Sequence, residues 1–183
     1  MKRFVLLILA IGLAITLFFC TQEQEKPAEE PVAVEVKTVQ PFYYVGLKHV
    51  GPYEDHQMVI EKFLAEAEAR GLKLSGPMFG IYLNNPQQVA PEQLEWIIAF
   101  EVEDTLAVSE PLMVGKWDKE KVLSHIFTGP YSETGKAYEL LQNYAQANKL
   151  TLGGPAVERF LTAHPTGVPP ESLKTEIWLP VVE

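Results

Sequence analysis

The sequence is poor in thiols and in basic charge. It has one cysteine, Cys20, in 183 residues, which excludes an internal disulfide framework and any thiolate metal site needing two or more cysteines. Lysines and arginines number 15 against 24 aspartates and glutamates, a formal net charge of −9. There is no long Lys/Arg run, and an acid surplus repels phosphate backbones, which argues against nucleic-acid binding. A nucleophile elbow, a phosphate loop, a dinucleotide fingerprint and a zinc-binding helix motif are all missing. The four histidines, His49, His56, His125 and His164, lack ligand spacing. What remains is the composition of one folded domain, 47% hydrophobic and 21% charged.

The N-terminus reduces the length available to that domain. Met1, Lys2 and Arg3 precede a run from Phe4 to Phe19 that is apolar apart from Gly12 and Thr16, the pattern of a secretory signal or an uncleaved anchor. Sixteen helical residues would rise about 24 Å, a little short of a hydrocarbon core of about 30 Å. Leu17-Phe18-Phe19-Cys20 resembles a bacterial lipoprotein processing site, at which the cysteine is lipidated; Phe19 is larger than the residue usual before that cysteine. Residues 1–20 are therefore expected to be a signal peptide or a membrane anchor, with Cys20 as the candidate lipidation residue. Thr21 to Pro31, rich in Gln, Glu, Pro and Ala without hydrophobic period, reads as a disordered linker. Either way the remainder, 32–183, is expected to be membrane-tethered and to face the periplasm or another extracytoplasmic space. Without Lys2 and Arg3, 13 basic residues face 24 acidic ones, a charge of −11.

An internal repeat dominates this remainder. Gly51-Pro52-Tyr53 recurs 78 positions later as Gly129-Pro130-Tyr131, and Gly76-Pro77 recurs at the same offset as Gly154-Pro155. Pro91-Glu92-Gln93-Leu94 returns as Pro170-Glu171-Ser172-Leu173 after one inserted residue. Two copies, about 32–104 and 110–183, point to a pseudo-twofold domain, since a solenoid needs three or more units.

Within each copy the periods are legible. Phe42 to Val50 and Val122 to Phe127 are β-branched and aromatic runs ended by Gly-Pro, and read as strands entering a turn. Val59, Ile60, Phe63 and Ala67 predict a helix over 54–70 with Gly71 at its C-terminal cap, and Ala137, Tyr138, Leu141 and Ala145 one over 132–148 with Ser132 as N-cap. Strand pairs follow, 78–83 with 94–102 and 156–161 with 173–181. The predicted fold is α+β: duplicated β-α-β-β units forming an antiparallel sheet with two helices.

The repeated Gly-Pro-Tyr turn, the Gly-Gly-Pro after the second helix and the terminal Thr175-Glu176-Ile177-Trp178-Leu179-Pro180-Val181 resemble the GyrI-like small-molecule-binding family, also called the effector-binding domain of AraC- and MerR-type transcription regulators. The resemblance covers about 32–183. It implies a curved antiparallel sheet with a groove along the pseudo-twofold axis that takes small cationic or aromatic molecules, opposed by a buried glutamate on the last strand, by position Glu176. Regulators of the family carry a helix-turn-helix ahead of this domain; here those positions hold the membrane-directing segment and linker, so no nucleic-acid partner is expected.

Strand alternation puts Glu176, Trp178 and Pro180 on one face. A carboxylate beside an indole is either at a solvated surface or in an aromatic-walled groove, where a cation would meet both charge and ring. In the first copy Ile97 stands opposite Glu176, so one wall of the groove is charged, with Trp96 nearby. Tyr53 and Tyr131, each at a turn opening a helix, either aim their hydroxyls into the groove or pack locally. The expected ligand-binding residues are Glu176, Trp178, Tyr53, Tyr131 and Trp96, with no metal and no cofactor. Two alternatives stay open: hydrolysis with Glu176 as general base, as in some members of the wider family, and haem or porphyrin binding, because the SOUL family is thought to share the duplicated architecture.

Overall fold

The computed structural model describes residues 33–103, 107–163 and 165–182; the expectations for residues 1–31, Cys20 included, lie outside them. The elements run β1 (Val34–Thr38), β2 (Phe42–Val50), α1 (His56–Ala69), β3 (Phe79–Tyr82), β4 (Glu95–Val102), β5 (Leu112–Trp117), β6 (Lys121–Thr128), α2 (Gly135–Ala147), β7 (Thr151–Leu152), β8 (Ala156–Phe160) and β9 (Lys174–Val182). This is the expected α+β architecture of two helices on a curved antiparallel sheet. Among the described residues no helix is long and apolar enough to cross a membrane.

The sequence repeat is also a repeat of backbone geometry. Gly51 and Gly129 share φ = 152°, a conformation side chains rarely adopt, and each leads through an extended proline into one 3-10 turn, Tyr53–Asp55 or Tyr131–Glu133. That turn delays the second helix beyond expectation: Ser132 lies inside it, and Thr134 takes the cap position of α2. Thr134 bonds back to the Tyr131 carbonyl instead of capping the helix. Val59, Phe63 and Ala67 on α1, and Ala137, Leu141 and Ala145 on α2, are the buried stripe. Gly71 leaves α1 at φ = 64°, and its counterpart Lys149 leaves α2 at φ = 56°. Each is followed by a leucine whose N–H reaches back to the helix, Leu72 to Ala67 and Leu150 to Ala145.

Each copy gains a leading strand that its short, half-exposed sequence conceals. β1 and β5 are equivalent in the repeat, and they cross over: β1 pairs with β6 of the second copy, and β5 with β2 of the first. The sheet order is β1-β6-β9-β8-β3-β4-β2-β5, with β7 joined to the end of β9. Exchanging the copies leaves this order unchanged, so the pseudo-twofold axis passes between β3 and β8, where Gly80 lies opposite Glu158.

Both faces of the sheet are buried, in different ways. On one face α1 covers Val45, Leu47, Trp96 and Ile98, and α2 covers Leu123, Ile177 and Leu179. Among the described residues the other face carries no helix. There Phe79, Ile81, Ile97, Val157 and Trp178 form a second core closed by Tyr44 and Trp117. Parity along each strand therefore decides whether a side chain meets a helix or this second core.

Candidate functional site

Because α1 and α2 sit on separate halves of one face, a groove of about 2220 Å³ opens between them across the β3/β8 seam. Its walls come in pairs related by the repeat: Tyr53 with Tyr131, Ile60 with Tyr138, Tyr82 with Phe160. The Tyr53 and Tyr82 rings meet edge to face at 5.3 Å and those of Tyr131 and Phe160 at 5.5 Å, so the aromatic walls are near copies. The charges are not. Glu54, Glu61, Glu139 and Glu158 line the groove, and no lysine or arginine does among the described residues.

Glu158 is the buried member of this set, 8% exposed. On β8 it points toward the helices, while Val157 points into the opposite core. Its neighbours across the sheet are Gly80 on β3 and Ile177 on β9, neither of which offers a charge. The Tyr138 hydroxyl donates to Oε1 at 3.0 Å, and Tyr82 Oη stands 3.5 Å from Oε2. Gly80 makes room for that phenol: a Cβ there would lie 2.9 Å from Tyr82 Oη. Tyr82 Oη is also 3.1 Å from His56 Nε2, and His56 Nδ1 is 2.5 Å from the Tyr53 carbonyl. Burial pushes the Glu158 carboxyl up to about 7, against the hydrogen that Tyr138 donates and the one that Tyr82 offers when its hydroxyl turns from His56 to the carboxylate, both of which favour the ionised form. Burial and the adjacent Glu158 hold the Tyr82 and Tyr138 phenols well above the ordinary tyrosine range.

Residues 33–182 match the sequence profile of the GyrI-like small molecule binding domain. The chain belongs to the GyrI-like family. No curated protein matches it at a significant level of sequence similarity, but solved structures do in three dimensions. The GyrI-like domain is similar to EcmrR in its complex with DNA (TM-score 0.73, 17% identity, over 82% of this chain and 57% of EcmrR). It is similar to a hydrolase from Listeria innocua (0.64, 13%, over 81% and 91%). It is also similar to SAV2435, solved bound to tetraphenylphosphonium (0.56, 16%, over 82% and 94%). The chain thus spans little more than half of EcmrR, and at these identities the likeness is one of fold.

The GyrI-like domain divides the expected site residues between the two faces. Tyr53 and Tyr131 line the groove. Trp96 is fully buried beneath it, with His56 stacked on its indole at 4.2 Å and its N–H donated to the Gly51 carbonyl. Glu176 and Trp178 are on the face without helices, because Ile177 and Leu179, between and beyond them, are the residues that meet α2. The cation expected between Glu176 and Trp178 is the protein's own. Lys37 Nζ is 2.6 Å and Arg159 Nη1 2.9 Å from the carboxylate, Ser124 donates to it at 3.1 Å, and both cations lie over the Trp178 ring, at 5.3 and 4.8 Å. Burial would raise the Glu176 carboxyl, but Lys37, the nearby Trp178 indole and Arg159 together hold it below the usual range. The Trp178 N–H itself reaches no acceptor at good hydrogen-bond geometry.

Glu158 is the residue that sequence reasoning passed over. Its signal was present: a lone acid inside the apolar strand Ala156 to Phe160, aligned with Gly80 in the first copy. Of the histidines, His56 lines the groove, His49 bonds Asp55 at 2.8 Å, and His125 bonds the Ala33 carbonyl. His164 lies outside the described residues, and among these no cluster of three or more His, Cys, Asp or Glu is placed to hold a metal.

Proposed function

We propose that this domain binds a small organic cation with aromatic substituents in the groove between α1 and α2, with Glu158 as counter-charge and the tyrosines as walls. One observation carries the reading: a buried carboxylate with no protein cation beside it, at the centre of an aromatic groove lined by four glutamates and by neither lysine nor arginine among the described residues. A cation entering there would pair with Glu158 and gain cation–π contacts of about 0.5 to 2 kcal/mol from the surrounding rings. The tetraphenylphosphonium held by SAV2435 is a molecule of this class and supports the choice of probe. The 16-residue apolar segment and Cys20 support placing the domain at a membrane, facing away from the cytoplasm; labelling with radioactive palmitate that survives Cys20→Ser would count against lipidation there.

The groove is tested by isothermal titration of the full chain in non-ionic detergent, with detergent alone as blank. Tetraphenylphosphonium is expected to bind and the isosteric anion tetraphenylborate to bind far more weakly. Glu158→Gln should weaken the cation by about 1.5 to 3 kcal/mol through loss of the charged partner, while Glu176→Gln should leave it nearly unchanged. The reverse ranking would return the site to the helix-free face.

A further inference from the structure

This inference rests on the cation-binding reading and concerns the state of the groove before a ligand arrives. Hydrogen-bond direction can be followed along a chain of four groups. The Tyr53 carbonyl can only accept, so His56 Nδ1, at 2.5 Å, carries a hydrogen. In a neutral imidazole the other nitrogen, Nε2, is then a bare acceptor. Its partner at 3.1 Å is Tyr82 Oη, whose one hydrogen can go there or to Glu158 Oε2 at 3.5 Å; the shorter contact takes it. With that hydrogen spent, the phenol oxygen can only accept from Glu158 Oε2, 3.5 Å away, and an ionised carboxylate has nothing to donate. Tyr138 donates to Oε1 in either case. With the phenol hydrogen on the shorter contact, the chain closes with a proton on Oε2.

The surroundings agree from every side. Glu158 is faced by Tyr82 from β3, Tyr138 from α2 and Tyr53 from the turn before α1, and by the uncharged Gly80 and Ile177 across the sheet. Moving the proton to His56 would let Tyr82 serve an ionised Glu158. Burial opposes that charge, and so does His49; the Tyr53 carbonyl, Asp55 and Glu54 favour it, and the net effect is a His56 pKa below the ordinary value.

We propose that the empty groove holds Glu158 as a neutral carboxylic acid, that His56 enforces this through Tyr82, and that an organic cation enters by exchange for the Glu158 proton. Charge and atoms balance: the carboxylic acid loses one proton to water, and the carboxylate left behind pairs with one arriving cation. Neither state buries an unpaired charge, which a permanently ionised Glu158 would do in every empty molecule. His56 is thus a positioning residue: it touches the phenol and acts on the carboxyl through it.

The test is NMR of the full chain in non-ionic detergent, labelled with ¹³C at glutamate and ¹⁵N at histidine, from pH 5 to 9, with Glu158→Gln to assign the signal. Without ligand, Glu158 should titrate near pH 7, where burial places it, with His56 in the Nδ1–H form. His56→Phe keeps a ring on Trp96 but has no acceptor; it frees the Tyr82 hydrogen for the carboxylate and should lower the Glu158 midpoint by about one pH unit. A wild-type midpoint below 5, an Nε2–H tautomer, or a midpoint that His56→Phe leaves unmoved or raises would each overturn the proposal. The wild-type midpoint and tautomer decide it alone if the variant does not fold. Tetraphenylphosphonium added to the same samples should bind about tenfold more weakly at pH 6 than at pH 8, and release about one proton per cation at pH 6. Equal affinity at both values without proton release overturns the exchange. A midpoint near 7 with no binding at any pH leaves the hydrogen-bond chain standing and removes the cation reading.

Discussion

Glu158 and Glu176 occupy neighbouring strands of one sheet, both buried, yet they meet opposite fates. Glu176 has two cations and a hydroxyl at hydrogen-bond distance and its pKa is lowered. Glu158 has tyrosine hydroxyls and, among the described residues, no lysine or arginine beside it, and burial raises it to about 7. The difference lies in the face each one meets. The helix-free face receives Lys37 from β1 and Arg159 from β8, whereas the helix face at the seam places the Tyr82 and Tyr138 phenols on Glu158 and, among the described residues, no lysine or arginine in the groove. A buried carboxylate saturated by its own protein has its charge balanced within the fold; on the proposed reading, one left without a counter-charge beside an open groove is balanced by a ligand.

The largest expected effect breaks the saturated site. Glu176→Gln leaves Lys37 and Arg159 without their counter-charge and should cost about 3 kcal/mol of unfolding free energy in urea at pH 8; a loss under 1 kcal/mol would mean that the cluster is solvated and the contrast between the two glutamates false. Glu158→Gln should act in the other direction. Its folded pKa is raised above the unfolded value of 4.5 to about 7, so the folded state binds the proton more tightly. The native protein is then fully stabilised below about pH 4.5 and loses stability as pH rises toward 7. Replacing the acid by its neutral isostere should remove that loss and raise stability at pH 8 by up to about 3 kcal/mol, with little change at pH 4.5. If Glu158→Gln instead destabilises at pH 8, ionised Glu158 is satisfied within the empty protein. The smallest effect sharpens the comparison: Tyr138→Phe removes the donor at 3.0 Å and should cost about 1 kcal/mol at pH 5, where Glu158 is protonated. It should also move the Glu158 midpoint further up, readable by the same titration.

Much of the fold was legible because its signals are local. The Gly-Pro turns, the four-residue spacing of Val59, Phe63 and Ala67, and the β-branched run before Gly51 each depend on residues within one or two turns of chain. β1 and β5 were not legible: their short, half-exposed sequences look like linker, and they become strands only by pairing with the opposite copy. Ser132 as a helix cap failed for a related reason, since the 3-10 turn after Pro130 sets the start of α2. Tyr53 and Tyr131, singled out through the turn they share, line the groove. Glu158 was passed over because an acid in a short strand is usually solvated, and nothing nearby in the chain reveals that Tyr138 and Tyr82 will close around it.

By itself the sequence determined that this is a duplicated α+β unit of the GyrI-like kind, that an apolar segment precedes it, and that acid outnumbers base. Those properties follow from composition, period and repeat, which are additive along the chain. Only the tertiary structure decided which of two buried glutamates confronts the groove. Lys37 reaches Glu176 from 139 positions away, and Tyr82 stands beside Glu158 from 76 positions away. A carboxyl's charge depends on its neighbours in space, and strand parity alone cannot say on which face the helices will lie.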